Sequence, residues 1–114
     1  MDWQQLVTDF DGEPVFEERI IRGRIEVKTA TVDGREEPAK LTLGRACINA
    51  LINERQGDEQ QTGAQRFDRS VLALKVNEDK PLTTEDVALI KERVGRQYRA
   101  DVVYNIWTAL EAGK

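Results

Sequence analysis

A chain of 114 residues, 39% hydrophobic and 33% charged, is large enough for one hydrophobic core and too apolar to remain disordered. Its formal charge of −4 argues against a protein whose main work is gripping phosphate backbones, since that binding rests on clustered Lys and Arg. No apolar run approaches the roughly 20 residues that span a bilayer, and Met1-Asp2-Trp3-Gln4-Gln5 lacks the pattern of a secretion signal, so a cytoplasmic protein without membrane contact is expected.

In chain order, Asp11-Gly12 offers a first turn between Leu6-to-Phe10 and Val15-Phe16. Ile21 to Thr29 then alternates with period two, which predicts a half-buried strand with Ile21, Ile25 and Val27 on one face and long charged side chains on the other. Asp33-Gly34 stands at a hairpin position, and Pro38, which has no amide to donate, limits the segment after that turn to a short or edge strand or a loop. Thr42 can cap a helix from Leu43 to about Glu54, whose Leu43, Cys47, Ala50 and Leu51 gather on one side. Arg55 to Gly63 has no apolar residue and reads as a solvated loop outside the core. A second helix is expected over Ala64 to Val76 with Phe67, Val71 and Leu74 inward, ending in a turn before Pro81.

The strongest local signal is Leu82-Thr83-Thr84-Glu85-Asp86-Val87. Thr83 is placed to cap, Asp86 to answer it, and Leu82 and Val87 have the spacing of a hydrophobic staple. The helix started there should bury Val87, Ile90, Val94 and Tyr98, with Gly95 marking close packing or an early end. Asp101 can cap a last helix over Val102 to Glu111, with Val102, Val103, Ile106 and Leu110 inward and Trp107 at the margin. Residues 1–41 thus favour strands and 42–112 favour helices, with no flexible linker between them. This predicts a single α+β domain, a small antiparallel N-terminal sheet or hairpin packed on about four C-terminal helices.

Chemistry is sparse by comparison. The chain has no histidine, the commonest general base near neutral pH and the commonest metal ligand. Ser70 sits mid-helix with no base to activate it, and Cys47 lies on an apolar helix face, where a free cysteine behaves as a small hydrophobe. Asp9-Phe10-Asp11-Gly12-Glu13 begins like a calcium loop, but Pro14 and Ile20 stand where such a loop needs its glycine and its bidentate acid. Arg93, Arg96 and Arg99 are interleaved with acids and read as a solvated face. A helix-turn-helix around Arg99-Ala100-Asp101 would offer Asn105 alone as a base reader. Hence no catalytic residue, cofactor or metal is expected.

The segments Leu41-Thr42-Leu43-Gly44-Arg45, Asn49-Ala50-Leu51-Ile52, Val71 to Val76 and Leu82 to Val94 resemble small proteins encoded by tailed bacteriophages and prophages, over residues 41–114. The resemblance implies a non-enzymatic accessory or virion (tail) assembly protein in the bacterial host cytoplasm, acting through protein contacts. The alternative is a regulatory or host-interaction factor with weak nucleic-acid binding through Arg22, Arg24 and Lys28. The partner surface is expected on the long N-terminal strand, where Ile21, Ile25 and Val27 supply apolar contact and Arg22, Arg24 and Lys28 set orientation toward a virion component or a second copy of the chain.

Overall fold

The structure, a computed structural model, describes residues 1–21, 24–55 and 57–113. Among these residues, four short strands, β1 (Glu18–Ile21), β2 (Arg24–Val27), β3 (Thr29–Val32) and β4 (Arg35–Pro38), precede four α-helices, α1 (Leu43–Ile52), α2 (Gly63–Asn77), α3 (Thr84–Gln97) and α4 (Ala100–Ala112). A 3₁₀ turn covers Asp58–Gln60. This is the α+β order that the change from period two to period 3.6 implies.

The single strand expected over Ile21 to Thr29 is instead divided between two antiparallel hairpins. β1 pairs with β2, bringing Ile21 opposite Arg24, and β3 pairs with β4, bringing Val32 opposite Arg35. Asp33 and Gly34 close the second hairpin with φ of 51° and 78°, the left-handed conformation that a two-residue turn needs to match strand twist. Asp11-Gly12 also turns the chain. The Asp9 carboxylate accepts from the amides of Asp11 (2.9 Å) and Glu13 (3.0 Å), which gives that acidic cluster a structural use within its own loop.

The hairpins spring from a junction in which three chain segments close hydrogen-bond rings. The Val7 amide donates to Leu41, Leu41 to Val15 and Val15 back to Val7, at 2.9, 2.7 and 2.9 Å. One layer along, Glu17 donates to Ala39, Ala39 to Lys28 and Lys28 back to Glu17, at 2.7, 2.7 and 2.8 Å. In each ring every member both donates and accepts, so the segments saturate one another without a wider sheet. The junction sits beside α1 because the Leu43 and Gly44 amides donate to Gln5 and Trp3. A Cβ on Gly44 would stand 3.2 Å from the Trp3 Cβ and 3.3 Å from its carbonyl oxygen, so this close approach favours glycine.

The core is helical. α1 supplies Leu43, Ala46, Cys47, Ala50 and Leu51, and α3 and α4 add Val87, Ile90, Val94, Val102, Ile106 and Leu110, with Trp3, Val7 and Leu41 closing it from the N-terminal side. The expected faces of α1, α3 and α4 are the buried ones. α2 differs. Its buried residues are Arg69, Leu72, Ala73 and Val76, while Phe67, Val71 and Leu74, expected inward, face solvent at 67%, 37% and 57% exposure. Both sets have helical spacing, so periodicity alone could not choose between them. One further boundary shifts, α4 beginning at Ala100 after Arg99 with Asp101 in its first turn, while α3 ends at Gln97, two residues beyond Gly95.

The start of α3 is built as its sequence indicates. The Thr83 hydroxyl accepts from the Asp86 amide at 3.1 Å and the Asp86 carboxylate accepts from the Thr83 amide at 3.0 Å, with Leu82 packed against the core and Val87 buried in it. Thr83→Ala should lower stability by about 1 kcal/mol, read as a lower urea midpoint at unchanged slope.

Candidate partner-binding site

Of the partner-binding residues expected from the sequence, Ile21 falls on β1, Arg24, Ile25 and Val27 on β2, and Lys28 at the base of the hairpin. Ile25 is 70% exposed and Val27 is also exposed, on one face of β2, so neither joins the core. This corrects the half-buried assignment. On β2, apolar Ile25 and Val27 and charged Glu26 between them all meet water. Arg22 lies outside the described residues, as do the side chains of Ile21 and Arg24. On the second hairpin every residue of β3 and β4 is exposed, Val32 included.

What holds these arms is Glu17, buried at their base. Its carboxylate accepts from Arg45 Nε at 3.3 Å and Asn49 Nδ2 at 3.2 Å on α1, and Lys28 Nζ lies 3.7 Å away. Arg45 and Asn49 stand off the apolar side of α1 and meet this carboxylate. Lys28 is therefore engaged within the chain and does not stand as a free basic group at the arm's root. The second arm is thus exposed along its length, the first is exposed at Glu18 and from Ile25 to Val27, and one buried charge anchors their base.

A second cluster lies across the helical body. Asp58, in the segment expected to be a solvated loop, is 1% exposed, and Arg93, expected on a solvated face, is also 1% exposed. Arg93 grips the carboxylate with both terminal nitrogens, Nη1 to Oδ1 at 2.7 Å and Nη2 to Oδ2 at 2.8 Å. Its Nε and Nη2 also donate to the carbonyls of Ala50 (3.0 Å) and Asn53 (2.7 Å). The Arg55 amide donates to Asp58 Oδ2 at 2.6 Å, and Arg69 and Arg96 approach at 3.6 and 3.1 Å.

The two-pronged Arg93 hydrogen bond holds the Asp58 carboxyl well below the usual carboxylate range, against burial, which pushes the other way. An open cleft of about 550 Å³ adjoins it, lined by Glu54, Arg55, Asp58, Glu59 and Arg66. A perturbed carboxylate at a cleft is a common mark of catalysis. Here both oxygens are already occupied by fixed donors, leaving neither free to take a substrate proton. The cluster is a structural clamp. Its sequence signal was the place of Arg93 on α3, next to Ile90 and Val94 on the inward arc. Cys47 is likewise buried, and burial pushes its thiol up to about 12, so it is a packed hydrophobe at neutral pH.

Among the described residues no group of three or more His, Cys, Asp or Glu side chains could hold a metal ion, and no helix is long and apolar enough to cross a membrane. No protein-family model, curated protein or solved structure matches the chain.

Asp58→Ala should destabilise the fold by about 3–5 kcal/mol, because it leaves the Arg93 guanidinium buried without its counter-charge. Since the folded carboxyl titrates below its unfolded value, the clamp is fully effective above about pH 5 and is lost as pH falls through and below about 4. Urea unfolding at stepped pH should therefore show the gap between wild type and Asp58→Ala closing on the acid side. Separately, Cys47 should resist a thiol reagent at about pH 8 in buffer and react in denaturant.

Proposed function

We propose that the protein is a non-enzymatic accessory or virion (tail) assembly factor of a tailed phage or prophage, working in the cytoplasm of the bacterial host through protein–protein contacts. The observation that carries this reading is the pair of hairpin arms, which hold Ile25, Val27 and Val32 in water on a base fixed by buried Glu17. Apolar side chains on an edge with unused main-chain groups are what strand-addition recognition employs. The exposed Phe67, Val71 and Leu74 of α2 form a second apolar stripe, at the spacing with which a helix meets a partner. The resemblance of residues 41–114 to phage-encoded proteins supplies the biological setting.

The partner is a virion protein, or a second copy of the chain. Nucleic acid is disfavoured by the net charge and by the Lys28–Glu17 pair. The test is co-expression with each capsid or tail protein encoded beside this chain, using wild type and the double variant Ile25→Lys, Val27→Lys. Both positions are exposed, so the variant should keep its thermal midpoint within a few degrees. A complex with one such neighbour that the variant loses is the expected outcome. Full binding by the variant, or tight salt-sensitive binding of duplex DNA instead, would count against the reading.

A further inference from the structure

The two hairpins present four outer strand edges, and their chemistry differs. In the second hairpin the two-residue Asp33-Gly34 turn closes on Val32 and Arg35 as a hydrogen-bonded pair, and antiparallel pairing then alternates bonded and non-bonded pairs along the ladder. Ala30 with Glu37 is therefore bonded, as is Lys28 with Ala39, where the Ala39 amide donates to the Lys28 carbonyl at 2.7 Å. Thr29 and Thr31 consequently turn both their amide and carbonyl groups away from β4. On β4 the outward residues are Glu36 and Pro38, and Pro38 has no amide to offer. The same alternation, starting from the Lys28 to Glu17 bond, turns Glu18 and Ile20 outward on β1 and Ile25 and Val27 outward on β2.

An edge that meets a second copy of itself about a two-fold axis, with its two outward residues opposite one another, places the intervening residue against its own image. That residue is Glu26 in β2 and Glu37 in β4, so these two edges bring like charges together, and the β4 edge also lacks a donor; the β1 edge carries the exposed charge of Glu18. In β3 the intervening residue is Ala30. The strand is Thr-Ala-Thr-Val, exposed throughout, with neither a charge nor a proline to blunt it.

We infer that β3 is the self-association edge of this protein: two copies pair β3 antiparallel about Ala30, making one four-stranded sheet in the order β4-β3-β3-β4. Thr29 of each copy lies opposite Thr31 of the other, and the pair exchange amide-to-carbonyl bonds in both directions. Ala30 packs on Ala30, and Thr stands beside Thr, a favourable cross-strand pair. The edge of four residues covers little area, so the dimer is a weak one. The inference rests on reading the arms as interaction elements, but it concerns a different edge from Ile25 and Val27.

Sedimentation of the full chain over a concentration series tests it. Wild type should pass from monomer to dimer. Thr31→Pro removes an outward donor at a position where proline leaves the hairpin's own bonds intact, and should weaken dimerisation at least about tenfold. Ala30→Lys puts a cation opposite Glu37 within its own hairpin and against its own image across the axis. It should also weaken the dimer, with partial recovery at high salt. Circular dichroism reports whether either variant keeps its fold, and Ile25→Lys should dimerise as wild type does. A wild type that stays monomeric to about millimolar concentration, or two folded variants that dimerise normally, would overturn the inference. Loss of a virion partner on Thr31→Pro with self-association unchanged would assign the edge to that partner and overturn it too. If the Ile25 and Val27 variant loses its virion partner while wild type is monomeric, the arm reading stands and this inference alone falls.

Discussion

The helical body depends on one buried ion pair. Arg93 reaches from α3 to the carboxylate of Asp58 and to two carbonyls at the end of α1, while Arg69 of α2 approaches the same carboxylate. Removing water from such charges is expensive, and the cost is offset here by geometry: both carboxylate oxygens and several guanidinium hydrogens find partners. An apolar core can tolerate small slippages between helices. A two-pronged arginine cannot, because a shift of an ångström or so leaves a buried charge short of a bond. The clamp thus fixes how α1, α2 and α3 meet, and with them the orientation of the exposed stripe on α2.

The N-terminal region solves a different problem. Its segments are too short for a sheet with its own core, so their main-chain groups are satisfied by the two closed rings at Val7, Val15 and Leu41 and at Glu17, Lys28 and Ala39. Beyond the rings the hairpins carry Ile25, Val27 and Val32 into water. Core and arms are separated in space: all four helices contribute to the core, and the described side chains of the arms lie outside it.

That separation is consistent with a protein that acts by contact. The arms offer unused main-chain edges and apolar side chains, and α2 offers a helical stripe on another element. Three of the edges are also edited by sequence, since charges on β1, β2 and β4 and Pro38 discourage self-pairing while leaving pairing with a complementary chain open. Only β3 lacks such editing among the strands described.

Contacts within a few residues settled much of the local structure. The capping box of Thr83 and Asp86, the cap at Thr42, the Asp33-Gly34 turn, the division into strands and then helices, and the buried faces of α1, α3 and α4 were all legible, because each depends on neighbours within a turn or two. The tertiary structure decided what joins distant residues. Asp58 and Arg93 stand 35 positions apart, so no local pattern pairs them, although Arg93 falls on the inward arc of α3. α2 carries apolar residues on two sides, and the side holding Arg69 turns inward because Glu54 and Asp58 wait there for its charge. Ile25 and Val27 alternate like half-buried residues, yet β2 pairs with β1 in an arm that the helices do not cover. Period two reports which residues share a face; whether anything packs on that face is fixed by where the rest of the chain goes.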